Sequence, residues 1–328
     1  MDSSPKLDLS GKTILLTGGT GSFGHAFTQR IIDEFPTATL RIFSRDELKQ
    51  SEMATRFNSP QLRFFIGDIR NKQRLLRATQ GADIVIHAAA MKQVPACEYN
   101  PFEAVQTNIL GSQHVVDAAI DAGVERVVAL STDKAVNPVN LYGATKLCEE
   151  KIVVQGNAYA SGSDTKLSCV RYGNVVGSRG SVVPVFKRIK EQGGALTVTD
   201  DRMTRFWLTL DSAVDLVFYA LDNMRGGEVF VPRIPSMKVL DLAKAIAPEL
   251  PIEIIGIRPG EKLHEVMITA DEARHTLRVG DVFVVLPESA MWTKGVDWQG
   301  EGLPDGFEYS SGANDEWLTT DQLVEMLG

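Results

Sequence analysis

The sequence predicts a doubly wound α/β fold: a parallel sheet with helices on both faces, followed by a smaller C-terminal domain. Three observations carry that prediction. Short apolar runs recur through the first 170 residues, helix-length stretches separate them, and a glycine-rich turn joins the first run to the first helix. Apolar runs too short to be helices, alternating with helical stretches, are the pattern of parallel strands buried on both faces.

The elements follow in order. Thr13–Thr17 (TILLT) is the first strand, with a helix over 22–34. Leu40–Ser44 (LRIFS) is the second, before a helix over 46–57, and Leu62–Ile66 (LRFFI) the third, before one over 71–78. Ile84–Ala88 (IVIHA), Val127–Ser131 (VVALS) and Leu167–Arg171 (LSCVR) complete the series, separated by helices over 101–121 and 141–160. After Arg171 the rhythm breaks. Residues 172–205 carry many glycines, and alternation returns only in pieces: a helix over 211–223, a strand over 228–231, a helix over 238–247 and a strand over 252–255. The expected division is a first domain over 1–171 and a smaller one over 172–328, with Asn174–Ser181 crossing between them. Residues 288–318 read as a long ordered tail, and Thr319-x-x-Gln322 as the capping box of a last short helix.

Composition narrows the function classes. The chain has 328 residues, 44% hydrophobic and 23% charged, which is ordinary for a globular enzyme. With 34 basic and 42 acidic side chains the net charge is −8. Such a balance offers no broad field to a nucleic-acid backbone, although a local basic pocket for a phosphorylated small molecule stays open. Cys97, Cys148 and Cys169 are isolated, so they read as small buried hydrophobes rather than metal or redox pairs, and no metal is expected. Met1 to Lys12 lacks an apolar core, and no apolar run approaches the roughly 18 residues of a membrane span. A soluble cytoplasmic protein, with no membrane partner, is the expectation.

The turn after the first strand is Gly18-Gly19-Thr20-Gly21-Ser22-Phe23-Gly24, opening a helix. A dinucleotide needs that chemistry: a tight turn, a backbone that can approach a pyrophosphate, and helix N–H groups facing the phosphates. The second strand ends Ser44-Arg45-Asp46, with Lys49 one turn on. Arg45 and Lys49 suit a ribose 2′-phosphate and favour NADP, while Asp46 leaves open the ribose acid of an NAD protein. Asp68 is placed to meet the adenine, or else to cap the helix after residue 70. The small residues Ala88, Ala89 and Ala90 let the backbone approach the cofactor. His87 reads as a core histidine, as Phe206 and Trp207 read as core.

Tyr142 and Lys146 form a Y-x-x-x-K pair, and positions four apart share one helix face. A nearby ammonium would lower the phenol pKa and make Tyr142 a base for a hydroxyl. Behind a strand ending Ser131-Thr132, these residues resemble the extended short-chain dehydrogenase/reductase family, over about residues 10–290. In that family, simple 4-epimerases carry Ser or Thr here and no acid–base pair. Glucose-type 4,6-dehydratases carry Thr-Asp-Glu. Ser131-Thr132-Asp133-Lys134-Ala135 is similar to the N-acetylglucosamine 4,6-dehydratases, with Lys in place of Glu. HAAAMKQVP (87–95), NPVNLYGATK (137–146), RYGNVVGSRGSVVP (171–184) and RPGEKLHEVMI (258–268) match the same group. Tyr142 in a chain without a membrane span resembles its inverting type, which opens pseudaminic acid biosynthesis.

The resemblance implies a Rossmann fold and NADP-dependent 4,6-dehydration of UDP-N-acetylglucosamine with inversion at C5; a UDP-hexosamine 4-epimerase is the alternative. It implies Tyr142 as base for the C4 hydroxyl, assisted by Lys146 and Thr132, a neutral Lys134 as base at C5, and a protonated Asp133 as acid for the C6 hydroxyl. The cofactor would be met by Gly18, Thr20, Gly21, Ser22, Phe23, Gly24, Ser44, Arg45, Lys49, Asp68, Ile69, Ala88, Ala89, Ala90, Asn108, Tyr142, Lys146 and Val175. Asn108 corresponds to a helix-four asparagine whose usual role is structural or proton-relaying. Arg205 and Arg258 are the candidates for the diphosphate. Asn174 and the 179–183 segment, with Val182 and Val183, would serve phosphate and base, Lys92 and Glu261 the sugar or ribose, and Ser131 would also meet the substrate. A homo-oligomer is expected.

Overall fold

The computed structural model describes residues 7–160, 162–178, 180–288 and 298–327. Its first half is the predicted alternation: β1 (Thr13–Thr17), α1 (Ser22–Glu34), β2 (Thr39–Ser44), α2 (Glu47–Phe57), β3 (Leu62–Ile66), α3 (Lys72–Thr79) and β4 (Ile84–His87). There follow α4 (Val94–Tyr99), α5 (Pro101–Ala104), a π-helical turn (Val105–Leu110), α6 (Gly111–Asp121), β5 (Arg126–Thr132), a 3-10 turn (Asp133–Ala135), α7 (Leu141–Tyr159) and β6 (Lys166–Tyr172). The strands pair in parallel in the order β3-β2-β1-β4-β5-β6, so the doubly wound prediction holds. The order reverses between β1 and β4, and the crevice beyond their carboxyl ends is where such sheets take ligands.

Local sequence sets the helix starts. Asp46, Asn71 and Asn140 accept from the backbone N–H groups of Lys49, Arg74 and Gly143, capping α2, α3 and α7. The cap of α3 is thus Asn71, which removes the capping alternative for Asp68. The start of α1 is different: Gly21 supplies no side-chain cap, and the first turn holds no acid. Its orphan N–H groups face the crevice.

The second half contains β7 (Asn174–Val175), α8 (Val182–Gln192), β8 (Leu196–Val198), β9 (Thr204–Leu208), α9 (Leu210–Asn223), β10 (Val229–Pro232), β11 (Ser236–Lys238), α10 (Val239–Ile246), β12 (Ile252–Ile254) and β13 (Val266–Ile268). The last elements are α11 (Ala270–Ala273), β14 (Thr276–Val279), β15 (Val282–Val285), β16 (Glu301–Gly302), β17 (Tyr309–Ser310) and α12 (Thr320–Leu327). The chain recrosses more often than the Asn174–Ser181 segment alone suggests. Strand β10 continues the parallel sheet beside β6, and β15, β14 and β16 extend it antiparallel. Helix α9 packs its buried Phe218 on Phe27 of α1. The smaller unit is left with α8, α10, α12 and the short sheets β11-β9-β7 and β12-β8 around Phe186, Leu196, Trp207, Leu242 and Leu323.

Phe206 and Trp207 are core, as expected. Cys97 and Cys169 are buried but Cys148 is exposed on α7, unlike the sequence reading of all three. Thr319 and Gln322 form the predicted reciprocal cap, each backbone N–H held by the other's side chain. The tail over 288–318 falls partly outside the described residues; from 298 onward it is ordered, and β17 pairs with β13. Among the described residues, no helix is long and apolar enough to cross a membrane, and no group of His, Cys, Asp or Glu is arranged to hold a metal.

Candidate active site

A cavity of about 950 Å³ lies between the large sheet and the smaller unit, running from the Gly18–Gly24 turn past Tyr142 to Arg258. At its first end the turn is shaped by absent side chains. Gly18 sits at φ +67° under the Ala88–Ala89 backbone, where a Cβ would come within 2.8 Å of it, and Gly24 has no room for a Cβ against Gly19. The resulting cradle of bare backbone and helix N-terminal N–H groups fits the pyrophosphate of a dinucleotide. Thr20, Gly21, Ser22, Phe23, Ser44, Arg45, Lys49, Asp68, Ile69, Ala88, Ala89, Ala90 and Val175 line the same part.

Around the expected adenosine ribose, the charges are already arranged. Asp46 spends one carboxylate oxygen on the Lys49 backbone N–H and the other on the Lys49 ammonium, 2.9 Å away. Arg45 is 60% exposed, with Asp68 3.8 Å from its guanidinium. Burial alone would raise the Asp68 carboxyl, but its hydrogen bonds from Arg70 hold it below the usual range. His87 is a core histidine: Thr17 holds Nδ1 at 2.7 Å and Ser112 holds Nε2 at 3.0 Å, and burial pushes its pKa down to about 3. Asn108, placed from sequence among the cofactor residues, is fully buried in the π-helical turn and does not line the cavity. It accepts from the Met91 N–H and donates to the Met91 carbonyl and the Thr145 hydroxyl, tying the loop after β4 to α7.

The middle of the cavity holds Ser131, Thr132, Lys134, Tyr142, Lys146 and Asn174. Asp133 lies one layer behind, fully buried. Its Oδ1 accepts from the Thr132 hydroxyl and the Lys134 ammonium, both at 2.9 Å, while among the described residues its Oδ2 has no partner. Burial raises its pKa, and an orphaned, desolvated carboxylate oxygen is relieved by a proton. The expectation of a protonated Asp133 therefore has a physical cause.

Two charge-state expectations are corrected. Lys134 was read as neutral. Burial does push it that way, but Asp133 and Glu265 together outweigh burial and raise its pKa. Glu265 Oε1 lies 3.4 Å from the Lys134 ammonium, a neighbour 131 positions further along that no local pattern reveals. Tyr142 was read as acidified by Lys146. Instead burial raises the phenol pKa, with Thr132 the one neighbour pulling it down. Lys146 is taken up elsewhere: it donates to the Leu130 carbonyl at 2.8 Å and to the buried carboxylate of Glu149.

At the far end, Val182 and Glu261 line the cavity with Lys92 and Arg258, whereas Val183 turns into the core of the smaller unit. Arg179 lies outside the described residues. Arg205 reaches the cavity, but its N–H groups are already donated to the carbonyls of Thr204, Lys262 and Leu263. Three of its five N–H groups thus anchor it to Thr204 and the 262–263 segment, and Nε lies 3.7 Å from Glu265. Arg258 is freer, 57% exposed and 3.8 Å from Glu261. Sequence reasoning missed Glu265 and Lys262, both in the cavity wall.

A family model for polysaccharide biosynthesis proteins matches residues 14–287. The chain belongs to the polysaccharide biosynthesis protein family. Within reach of this family member is the UDP-N-acetylglucosamine 4,6-dehydratase (inverting) of Campylobacter jejuni, 50% identical over 96% of this chain and 97% of that protein. A UDP-glucose 4-epimerase of Rickettsia canadensis is 44% identical over 83% of this chain and 82% of its own length. The solved structure of Pen from Bacillus thuringiensis superposes with a TM-score of 0.88 at 35% identity, covering 98% of this chain and 99% of that one. The dehydratase likeness read from four sequence blocks is thus borne out along the whole chain.

Proposed function

We propose that this polysaccharide biosynthesis protein dehydrates UDP-N-acetylglucosamine across C4–C6 with inversion at C5, giving UDP-2-acetamido-2,6-dideoxy-L-arabino-hexos-4-ulose for a pseudaminic acid-type surface sugar. The observation that carries the reading is the hydrogen-bonded Asp133–Lys134 pair behind Thr132 at the cavity wall, 2.9 Å apart. An epimerase that takes and returns hydrogen at one carbon needs no acid for a leaving hydroxyl. The relatives named as epimerases make that the competing reading, and the pair argues against it.

The Gly18–Gly24 cradle, the Ala88–Ala90 backbone and Lys146 would hold the dinucleotide. Arg45 supports NADP, because its exposed guanidinium, 3.8 Å from Asp68, is open to a ribose 2′-phosphate. The chemistry a bound nicotinamide supplies is reversible hydride storage, taken at C4 and given back at C6, so that the net change is loss of water. The protein's own groups move the protons. Tyr142 takes the C4 hydroxyl proton as the phenolate, so its own proton, which burial holds, must first leave to solvent. One proton passing from Lys134 Nζ to Asp133 then creates both agents the elimination needs, an amine base and a carboxylic acid. Lys134 takes the proton at C5, acidified by the C4 ketone. Thr132, which bonds Asp133 and lines the cavity, relays the acid's proton to the departing C6 hydroxyl, and a solvent-derived proton added to the opposite face of C5 completes the inverted product. Arg258 and Lys92 are the cations for the diphosphate, with Asn174 and Val182 toward the base.

Proton NMR of UDP-N-acetylglucosamine with the protein in D₂O, without added reductant, tests this. The expected product is a 4-keto-6-deoxy sugar with deuterium at an inverted C5. A C4 epimer with its C6 hydroxyl intact would establish the epimerase reading instead.

A further inference from the structure

Glu265 is buried, 2% exposed, yet lines the cavity beside the groups assigned to the C5 chemistry. Its Oε1 is 3.4 Å from the Lys134 ammonium and 3.7 Å from the Arg205 guanidinium, and its Oε2 is 3.6 Å from the Lys262 ammonium. Among the described residues Oε2 has no hydrogen-bond partner. The backbone beneath it is clamped by the tail: the Glu265 N–H donates to Ser311 Oγ at 2.9 Å, and the Ser311 N–H to the Glu265 carbonyl at 2.8 Å. A buried carboxylate is expensive unless compensated, and three cations with a fixed backbone are a costly arrangement to keep for packing alone.

We propose that Glu265 is a positioning residue for Lys134, holding its amine toward C5 and setting how readily Lys134 yields its proton to Asp133. This rests on the dehydratase reading. The ammonium has three N–H groups and three acceptors around it: Asp133 Oδ1 at 2.9 Å, Asn174 Oδ1 at 3.4 Å and Glu265 Oε1 at 3.4 Å. With all three engaged there is no lone pair. Transfer of one proton along the shortest contact breaks an Nζ–H bond and forms an O–H bond on Asp133, leaving the summed charge of the pair unchanged. The lone pair left behind faces the new Asp133 O–H, and a turn of the amine about Cε–Nζ, with Glu265 still accepting one N–H, brings it to C5.

The charges facing this step are Asp133 and Lys134 on the turn after β5, Arg205 on β9, and Lys262 and Glu265 on the segment before β13. Burial would raise the Glu265 carboxyl, but Lys134, Arg205 and Lys262 hold it below the usual range, so it stays anionic while the pair trades its proton. As a fixed negative charge it favours the protonated states of its neighbours. It therefore sets the pH at which the pair sheds its excess proton and becomes active.

The test is the pH profile of dehydration for the wild type, Glu265→Gln and Glu265→Asp, read as product formation and C5 deuterium uptake. Wild type giving no 4-keto-6-deoxy product would dispose of the dehydratase reading before any variant is compared. Given an active wild type, Glu265→Gln keeps an acceptor but loses the charge, and both limbs of its profile should move to lower pH by about one unit. Glu265→Asp keeps the charge but withdraws the carboxylate; its profile should stay in place while kcat falls about tenfold or more. A Gln profile that does not move, or an Asp variant with wild-type kcat, would overturn the proposal. The Asp variant decides the matter alone if the Gln variant does not fold.

Discussion

At the scale of single residues, what a side chain does depends on neighbours that the sequence keeps far apart. Asp133, Lys134 and Tyr142 were legible because each stands in a short motif at the carboxyl end of a strand, where α/β sheets do their chemistry. Their protonation states were not legible, because burial sets that of Tyr142 and the distant Glu265 joins Asp133 in setting that of Lys134. Lys134→Ala should fold and bind substrate but lose deuterium uptake at C5 by about 10²- to 10⁴-fold, the usual contribution of a general base, measured by NMR in D₂O. Undiminished exchange would move the base elsewhere. Arg45, 60% exposed with its nearest acid 3.8 Å away, is available to a 2′-phosphate. Arg45→Ala should weaken NADP binding about tenfold or more and NAD binding hardly at all, by titration calorimetry. Equal losses would remove the case for NADP.

At the scale of elements, the strands and long helices of the first half were read nearly to their ends; of what escaped, which includes α4, β8, β9 and β13, three features are instructive. The stretch 101–121 reads as one helix, yet Val105–Leu110 is a π turn. One extra residue in a turn barely disturbs an apolar pattern, but it lets Asn108 grip both backbone groups of Met91 and reach Thr145. Helix α8 was hidden by the glycines on both sides of it, and β14–β15 by an unremarked turn at Gly280. The glycine inside Y-x-x-x-K has a sharper meaning than spacing shows. A Cβ on Gly143 would strike the Lys134 carbonyl, so α7 docks against the catalytic turn through that bare backbone. Gly143→Ala should push the Asp133–Ala135 turn off the helix, destabilising the protein by about 1–3 kcal/mol. Because Lys134 rides on that turn, kcat should fall by more than substrate affinity does. Urea unfolding and steady-state kinetics on one preparation check both.

At the scale of the whole molecule, the two halves are joined by strands that return to the large sheet and by a line of buried charge. Arg171 on β6 binds Glu150 of α7 on one side and Glu272 of α11 on the other, and adds a bond to the Met267 carbonyl. One residue back along α7, Glu149 pairs with Lys146 under the cavity floor, leaving Oε1 without a partner among the described residues. Burial raises the Glu149 pKa from its ordinary 4.5 to about 7, against the pull of Lys146. Between those two pH values the folded chain keeps a proton that the unfolded chain has released. Stability from this group is therefore fully present below pH 4.5, declines as pH rises, and is gone above pH 7. The shift corresponds to ~3 kcal/mol across the window. Buried His87, held neutral down to about pH 3, gains stability as pH rises through the same window and so acts with the opposite sign, which leaves only a comparison of two proteins able to isolate Glu149. Glu149→Gln replaces the titrating group by a neutral one of the same shape, so the wild type should lose stability relative to the variant as pH rises from 4.5 to 7. Urea unfolding of both proteins from pH 4.5 to 7.5 measures it as a difference of slopes, in which every other titrating group cancels. Parallel curves would mean that Glu149 is ionised throughout, and that the lysine beneath the nicotinamide pocket works against a permanent charge instead of a proton it shares.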